Sequence, residues 1–198
     1  QQNQAMGTLP RNYQVNLMLH PDSRIIGLRG PKRVGKNFTA DIIRNLLTSR
    51  YAFASAGFAD ALKEEVALAL GVDVADLNGP KKEAFRPMLQ WWGTEFRRNM
   101  FGEDYWVDKM KMKIQGLEAL VPKTPLVVVI TDVRFFNEAK LVKDLGGQVW
   151  SITSPGFGGG DQHPSEVVMD SYKDYDAVIE TLRGLPGYNT NKVNAALH

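Results

Sequence analysis

The spacing of apolar positions along the chain changes repeatedly between two periodicities. Short runs rich in β-branched apolar residues are bounded by turn residues and predict strands at residues 24–28, 51–55, 126–130, 148–152 and 176–180. The stretches between these runs show the 3.6-residue periodicity of amphipathic helices. Strands that alternate with helices are typical of a parallel sheet covered by helices, so we predict an α/β fold.

One interval between strands is too long for a simple crossover. Residues 57–124 separate the second predicted strand from the third, and their periodicity is helical throughout, over 61–70, 85–101 and 104–120. We predict a helical insertion over one edge of the sheet. A glycine cluster at 154–161 interrupts the second half of the chain and predicts an irregular segment.

The composition then narrows the class of protein. The 198 residues are 43% hydrophobic and 23% charged, as in a folded globular chain, and this length favours one domain. Lys and Arg number 24 against 22 for Asp and Glu, so bulk charge favours neither nucleic acid nor an anionic membrane as a partner. The absence of cysteine excludes disulfides, zinc–thiolate sites, iron–sulfur clusters and thiol nucleophiles.

Two other properties of the sequence bear on the location of the protein in the cell. The longest apolar run, residues 126–130, is far shorter than the roughly 20 residues that a transmembrane helix needs. The first 22 residues lack the pattern of a secretory signal. We therefore expect a cytoplasmic protein that has no membrane partner.

The strongest chemical signal follows the first predicted strand. There the chain has the pattern G-x-x-x-x-G-K and then a helical pattern, with the residues Gly30, Pro31, Lys32, Arg33, Val34, Gly35, Lys36, Asn37 and Phe38. Glycines let such a loop wrap tightly so that backbone N–H groups and the helix N-terminus face an anion, while the lysine reaches the β- and γ-phosphates of a nucleotide. We predict a phosphate-binding loop.

The position after this lysine departs from the usual pattern. A Ser or Thr there normally supplies a hydroxyl ligand to Mg²⁺, whereas this chain has Asn37. An amide oxygen is also a hard ligand, so Asn37 is a candidate Mg²⁺ ligand. The alternative is that Asn37 only begins the helix and has no metal role.

A second group of candidates follows the buried run 126–130. Asp132 lies where parallel strands end and ligands bind, and in phosphate-loop enzymes such an Asp helps to hold Mg²⁺ or orients a substrate. The alternative is an Asp that caps a helix. Arg134 is suited to bidentate contacts with a phosphate, and its alternative is a surface ion pair.

Several segments, taken in order, resemble those of the bacteriophage-type deoxynucleoside monophosphate kinases of the P-loop kinase superfamily. They are GPKRVGKN at 30–37 with TAD at 39–41, GFADALK at 57–63, LQWWGTE at 89–95 with Arg97 and Arg98, GEDYWV at 102–107, TDVRFFNE at 131–138 and HPSE at 163–166. The resemblance spans residues 24–182. Asn37 with Phe38 departs from the family pattern, in which an acidic or hydroxyl residue precedes Thr.

The resemblance implies a domain organisation and a reaction. A single domain, 1–198, would have a five-stranded core at 24–56 and 125–198, a helical monophosphate-binding insertion at 57–124, and a lid at 154–167. The implied reaction transfers the γ-phosphoryl group of ATP, with Mg²⁺, to a deoxynucleoside 5′-monophosphate for DNA precursor synthesis. If the gene is of phage origin, the location would be the host cytoplasm.

The site residues follow from the motifs and this resemblance together. Lys36, Asp132 and Arg134 are the predicted catalytic residues, the loop 30–38 binds ATP, and Asn37 and Asp132 are the candidate metal ligands. The predicted acceptor-binding residues are Asp60, Lys63, Arg86, Trp91, Arg97, Arg98 and Arg134. Because neighbours on a helix do not share a face, at most one of Arg97 and Arg98 is expected to face the substrate.

Other functions stay open from the sequence alone. A P-loop kinase of another small phosphorylated metabolite would share the phosphate-binding loop without needing a pocket for a base. A nucleotide-binding regulator with weak turnover is kept open by Asn37. The sequence also leaves open a homodimer, while nothing in it favours a nucleic-acid partner.

Overall fold

The computed structural model describes residues 19–79, 82–156 and 168–198. Its strands are β1 (Arg24–Arg29), β2 (Ala52–Ala56), β3 (Leu126–Ile130), β4 (Gln148–Thr153) and β5 (Ala177–Glu180). Its α-helices are α1 (Lys36–Leu47), α2 (Phe58–Leu70), α3 (Val74–Asn78), α4 (Lys82–Trp91), α5 (Asn99–Phe101), α6 (Tyr105–Leu120), α7 (Phe136–Asp144) and α8 (Pro186–Leu197). A π-helical segment, Trp92–Arg98, joins α4 to α5, and a 3-10 turn occupies Val168–Ser171.

The strands of the described residues form one sheet in the order β2-β3-β1-β4-β5, and every paired neighbour is parallel. The predicted α/β class and five-stranded parallel sheet are therefore confirmed. The strand β1 lies between β3 and β4, so the chain passes to opposite sides of β1. Ligands of such sheets bind at the carboxyl ends of the strands beside that reversal.

Side chains alternate between the two faces of the sheet, and helices cover both faces. Ile25 and Val128 face a core formed with α6 and α7, whereas Ile26 and Val127 face a core formed with α1 and α8. All five residues of β3 are buried, which explains its uninterrupted apolar run. The sheet is thus the rigid layer on which the loops at its carboxyl edge are held.

The helical insertion 57–124 contains α2 to α6. It has a small core of its own, made of Val66, Ala67, Leu77 and Leu89, and α6 also packs against the main core. The π-helical segment was predicted only as part of a continuous helix, and α3 and α8 were not predicted. None of the helices in the described ranges is long and apolar enough to cross a membrane.

Candidate functional site

The loop between β1 and α1 has the backbone shape that its glycines predict. A Cβ at Gly30 would lie 2.3 Å from the carbonyl oxygen of Ile152, so only glycine fits there. Gly35 has φ 102° and Arg33 has φ 65°, both in the left-handed region, where glycine is favoured and arginine is uncommon. The loop therefore curls over the carboxyl end of β1 in a backbone conformation that a sequence without these glycines would rarely adopt.

The loop is also fixed to the sheet and to itself. The Thr181 hydroxyl, buried after β5, lies 2.9 Å from the carbonyl oxygen of Val34, to which it donates. The Lys36 ammonium donates to the carbonyl oxygens of Gly30 and Pro31 at 2.6 and 2.7 Å. Helix α1 begins without a side-chain cap, an arrangement typical of helix starts that bind an anion.

Asp132, just after the end of β3, contacts the insertion directly. Its two carboxylate oxygens accept the backbone N–H groups of Phe58 and Ala59 at 2.7 and 2.9 Å. Asp60 completes this helix start, since its carboxylate accepts the Gly57 N–H at 2.8 Å and the Lys113 ammonium at 2.8 Å. Asp132 thus caps α2, the helix that follows the neighbouring strand β2.

A cleft of about 560 Å³ lies between the carboxyl edge of the sheet and the insertion. It brings together most of the charged and polar side chains predicted for the site, namely Lys32, Arg33, Lys36, Asn37, Asp60, Lys63, Arg86, Arg98, Asp132 and Arg134. Its volume is in the range of pockets for small ligands. The structure therefore gathers into one cavity residues from the phosphate-binding loop, the end of β3 and the insertion.

The electrostatic character of the cleft is positive. Burial lowers the pKa of Lys82 below its ordinary value, and nearby positive charges lower it further, in the order Lys63, Arg134, Lys32 and Arg86. Positive side chains this close together repel one another, and a bound anion relieves that repulsion. Local clustering therefore creates an anion site in a chain that is nearly neutral overall.

One carboxylate partly balances this charge. Glu83 at the start of α4 pairs with Lys32 of the loop and lies 3.8 Å from Arg86. The hydrogen bond from Lys32 is the main cause that lowers the pKa of Glu83. All three side chains are at least partly exposed, so the pair can exchange partners when an anion binds.

Two predicted acceptor-binding residues are not brought to the cleft. The Arg97 guanidinium donates to Glu65 at 2.7 Å and lies among the rings of Trp92, Phe96, Phe101 and Tyr105. The half-exposed Trp91 stacks on Phe96 with ring centres 5.5 Å apart. The expectation that Trp91 or Arg97 contacts substrate is therefore not supported, because neither side chain lines the cleft and both are held by contacts within the insertion.

Arg98 reaches the cleft wall but is buried, with 6% of its surface exposed, and pairs with Glu138, which is 2% exposed. Burial acts to raise the pKa of the Glu138 carboxyl, and the charge of Arg98 acts to lower it. Four of the residues predicted to bind ATP, Gly30, Val34, Gly35 and Phe38, are not among the residues that line the cleft. The predicted lid, 154–167, lies largely outside the described residues.

Some cleft residues were not predicted from the sequence. Lys82, Gln90, Thr94 and Glu138 line the cleft, three of them on α4 and the π-helical segment. Gln90 and Thr94 are four residues apart, the spacing that places two side chains on one helix face, and this signal could have identified them. Glu138 carried no such signal, because a Glu near a helix start is usually exposed.

The described residues contain no group of three or more His, Cys, Asp or Glu that could hold a metal ion. Asn37 is exposed at the cleft, and Asp132 retains acceptor capacity beyond its two backbone hydrogen bonds. One amide and one carboxylate fit a Mg²⁺ that arrives with nucleotide phosphates and keeps several waters. Thr39 does not fit, because it is fully buried away from the cleft lining.

Comparisons with known proteins show what this chain is similar to. A family model described as deoxynucleotide monophosphate kinase matches residues 66–185, more than half of the chain. A protein of Acanthamoeba polyphaga mimivirus, whose name proposes it as a deoxynucleotide monophosphate kinase, is 33% identical over 171 residues, covering 78% of this chain and 86% of that protein. The APS kinase of Mycobacterium tuberculosis aligns with 90% of this chain and 99% of its own, at 14% identity and a TM-score of 0.45.

Proposed function

Because this chain belongs to the deoxynucleotide monophosphate kinase family, we propose that it transfers the γ-phosphoryl group of ATP to a deoxynucleoside 5′-monophosphate. The product is a deoxynucleoside diphosphate, a precursor of DNA synthesis. One observation carries this proposal beyond the family: a single cleft joins the phosphate-binding loop to a second group of basic side chains from the insertion. Two phosphate sites in one cavity are what transfer between two phosphates requires.

The donor site is the loop between β1 and α1. Lys36 and the N–H groups at the start of α1 bind the β- and γ-phosphates of ATP, and Lys32 and Arg33 contribute charge at the same rim. The hydrogen bonds of Lys36 to Gly30 and Pro31 hold the ammonium close to the loop. The side chain is therefore preorganised and need not be ordered by the nucleotide.

The acceptor site is the opposite wall of the cleft. Lys63, Lys82 and Arg86 from α2 and α4 bind the monophosphate, together with Arg134 from the core. An oxygen of the acceptor phosphate attacks the γ-phosphorus, and the bond from that phosphorus to the β–γ bridging oxygen breaks, releasing ADP. No general base is needed, because the attacking oxygen is already anionic. The cations align the reactants and neutralise charge in the transition state.

Mg²⁺ is the expected metal cofactor of this reaction, and Asn37 and Asp132 are the residues that would hold it, directly or through water. When bound, the ion neutralises charge on the donor phosphates. Asp132 has a second task that its contacts support. By accepting the N–H groups of Phe58 and Ala59, it fixes the start of α2, the helix that carries Lys63.

The base of the acceptor is proposed to lie beyond the phosphate-binding cations. Gln90 and Thr94 line the cleft, as do the apolar residues Leu89 and Trp106. A side-chain amide and a hydroxyl can read the hydrogen-bonding edge of a base, and apolar walls accept its faces. These contacts favour a nucleotide over a phosphorylated metabolite that has no ring.

The reaction is tested by measuring ADP formation from ATP and Mg²⁺ with each deoxy- and ribonucleoside monophosphate. We expect turnover with particular deoxynucleotides and its loss in Lys36→Ala. Lys140→Ala is the matched control, because Lys140 is an exposed lysine of α7 that pairs only with Asp144 among the described contacts. Turnover that survives in Lys36→Ala would indicate a contaminating kinase. ATP binding without turnover of any monophosphate would contradict the proposed reaction and favour a nucleotide-binding regulator.

Donor and acceptor sites can be separated by a second variant. Arg86→Met removes one acceptor cation and keeps the length of the side chain. We expect the KM for the monophosphate to rise roughly tenfold, as for loss of one charged hydrogen bond, while the KM for ATP stays nearly constant. An equal rise in both KM values would contradict the assignment of Arg86 to the acceptor.

A further inference from the structure

The buried ion pair between Arg98 and Glu138 lies in the wall of the cleft. Arg98 ends the π-helical segment of the insertion, and Glu138 lies in the first turn of α7, in the core. Only 6% of Arg98 and 2% of Glu138 is exposed, and the guanidinium donates directly to Glu138 Oε1. The pair therefore joins the two parts of the molecule that form opposite walls of the cleft.

The other oxygen of Glu138 holds the backbone next to the cleft. Glu138 Oε2 accepts the N–H of Arg134 at 2.7 Å and the N–H of Phe135 at 3.2 Å. Both N–H groups belong to the turn between β3 and α7, so one carboxylate oxygen bridges two consecutive residues of that turn. The carboxylate consequently fixes the point from which the Arg134 side chain extends into the cleft.

Arg98 extends the same network into the insertion. Its guanidinium carbon lies 3.7 Å from the centre of the Phe135 ring, and its second terminal nitrogen donates to the carbonyl oxygen of Glu103 at 2.9 Å. Asn137 of α7 also donates to the Glu103 carbonyl, at 2.9 Å. Stacking and hydrogen bonds together thus fix Arg98 against the turn that carries Arg134.

Burying two charges is a costly way to stabilise a fold. Apolar side chains of similar volume generally stabilise at least as well, because both ions lose hydration when they are buried. A carboxylate, however, can accept two backbone N–H groups and a guanidinium at once, which no apolar residue can do. The pair is therefore better explained by the geometry that it imposes than by the stability that it adds.

We propose that Glu138 and Arg98 are positioning residues for phosphoryl transfer: together they set the backbone of Arg134 relative to the acceptor wall of the cleft. This inference rests on the proposed function, in which Arg134 contacts the phosphates. It replaces the expectation that Arg98 itself binds substrate. Because the network also holds Glu103, a shift of the insertion changes the position of the Arg134 backbone.

The test is a double-mutant cycle between Glu138 and Arg134, measured as kcat and KM for both substrates. Glu138→Gln keeps the shape of the side chain and removes its charge. We expect kcat to fall roughly 10- to 100-fold, the effect of a small misplacement of a catalytic group, with little change in the KM for ATP. In an Arg134→Ala background, the same Glu138→Gln change should alter kcat by less than about twofold.

Controls separate this effect from a general loss of structure. Asp144→Asn, an exposed carboxylate on the same helix, should leave kcat unchanged. Circular dichroism and binding of ATP give the folded fraction, to which all rates are normalised. If Glu138→Gln does not fold, a protein with both Glu138→Gln and Arg98→Met is used instead, because it has neither buried charge. This protein should fold but show the same decrease in kcat.

The outcomes distinguish the two proposals. The positioning role would be overturned if Glu138→Gln lowered kcat equally in the wild-type and Arg134→Ala backgrounds. It would also be overturned if the protein with both Glu138→Gln and Arg98→Met had a normal kcat per folded molecule. If the wild-type protein phosphorylates some monophosphates but the effects of the two substitutions on kcat are additive, only the positioning role is contradicted. A wild-type chain that phosphorylates none contradicts both, because Arg134 would then have no such reaction to serve.

Discussion

The space beside Gly57 is set by two carboxylates. A methyl group at this position would lie 3.0 Å from Asp132 Oδ2 and 3.2 Å from Asp60 Oδ1. Both carboxylates hydrogen-bond to the start of α2 and cannot move away without losing those bonds. Glycine is therefore required at this position by close approach, although its backbone is extended and any residue could adopt it.

We accordingly predict that Gly57→Ala destabilises the protein by about 1–3 kcal/mol, as other cases of overpacking do, and also lowers kcat. Chemical denaturation and the kinase assay measure the two effects. Gly187→Ala is the control, because a Cβ there meets nothing within 4 Å. Unchanged stability and rate in Gly57→Ala would show that the two carboxylates tolerate displacement.

Glu65 provides a prediction about pH. Burial raises the pKa of this carboxyl, but hydrogen bonds from Tyr105, Trp92 and Arg97 outweigh it, so its pKa lies below the ordinary 4.5. A carboxyl whose pKa is lowered by folding stabilises the protein fully above its unfolded pKa. That contribution disappears as the pH falls through the folded value.

Wild-type protein should therefore lose more unfolding free energy than Glu65→Gln between about pH 6 and about pH 3. Urea denaturation over a series of pH values measures the difference. The Tyr105 hydroxyl donates to Glu65, and burial together with this bond raises the pKa of Tyr105 to about 12. Parallel acid curves for the two proteins would contradict the role given to Glu65.

Arginines 97 and 98 show what the sequence could and could not decide at the scale of residues. That the two neighbours face different ways was predictable from helix geometry alone. Which of them faces inward depends on partners distant in sequence, Glu65 for Arg97 and Glu138 for Arg98. No local pattern encodes those pairings, so the choice required the structure.

At the scale of elements, the strands were predicted within one residue at each end. Buried parallel strands are β-branched and apolar throughout, and turn residues bound them, so the signal is strong. Helix α8 was missed, although Pro186 at its start and the buried Val193 and Leu197 were available as signals. Most of its other residues are polar or small, and they mask the short apolar face that packs on α1.

Helix α6 contains a glycine with no evident structural need. Gly116 is exposed, lies in the helix interior, and has open space where a Cβ would extend. We predict that Gly116→Ala stabilises the protein by about 0.5–1 kcal/mol, because alanine has the higher helix propensity. Denaturation midpoints measure this change. A loss of stability would show that α6 requires glycine for a reason beyond its own backbone.

At the scale of the whole molecule, the net charge of +2 conceals a strongly basic cleft. The sequence located the phosphate-binding loop and the acid after β3, because each is a contiguous motif beside a strand. Lys63, Arg86 and Arg134 were grouped only through the family resemblance, and Lys82 was missed, since the fold alone brings the insertion over the sheet edge. Assignment of roles within the cleft therefore depends on three-dimensional proximity.

This charge distribution predicts that nucleotide binding weakens with salt. The KM values for ATP and for the monophosphate should rise several-fold between about 50 and about 300 mM KCl, because ions screen the field of exposed cations. Binding of the uncharged deoxynucleoside, measured by calorimetry, should change little and is the control. Nucleotide affinity that is independent of salt would contradict an electrostatic role for the cleft.

The π-helical segment Trp92–Arg98 gives the insertion an unusual dependence on chain length. Each residue of an ordinary helix turns the next by about 100° around the axis, so removing one residue from this segment would rotate the chain after the deletion relative to the chain before it. Arg98 would then no longer point at Glu138. Deleting one residue here would barely change the composition of the chain. A different side chain would nevertheless take the place of Arg98 in connecting the insertion to the core.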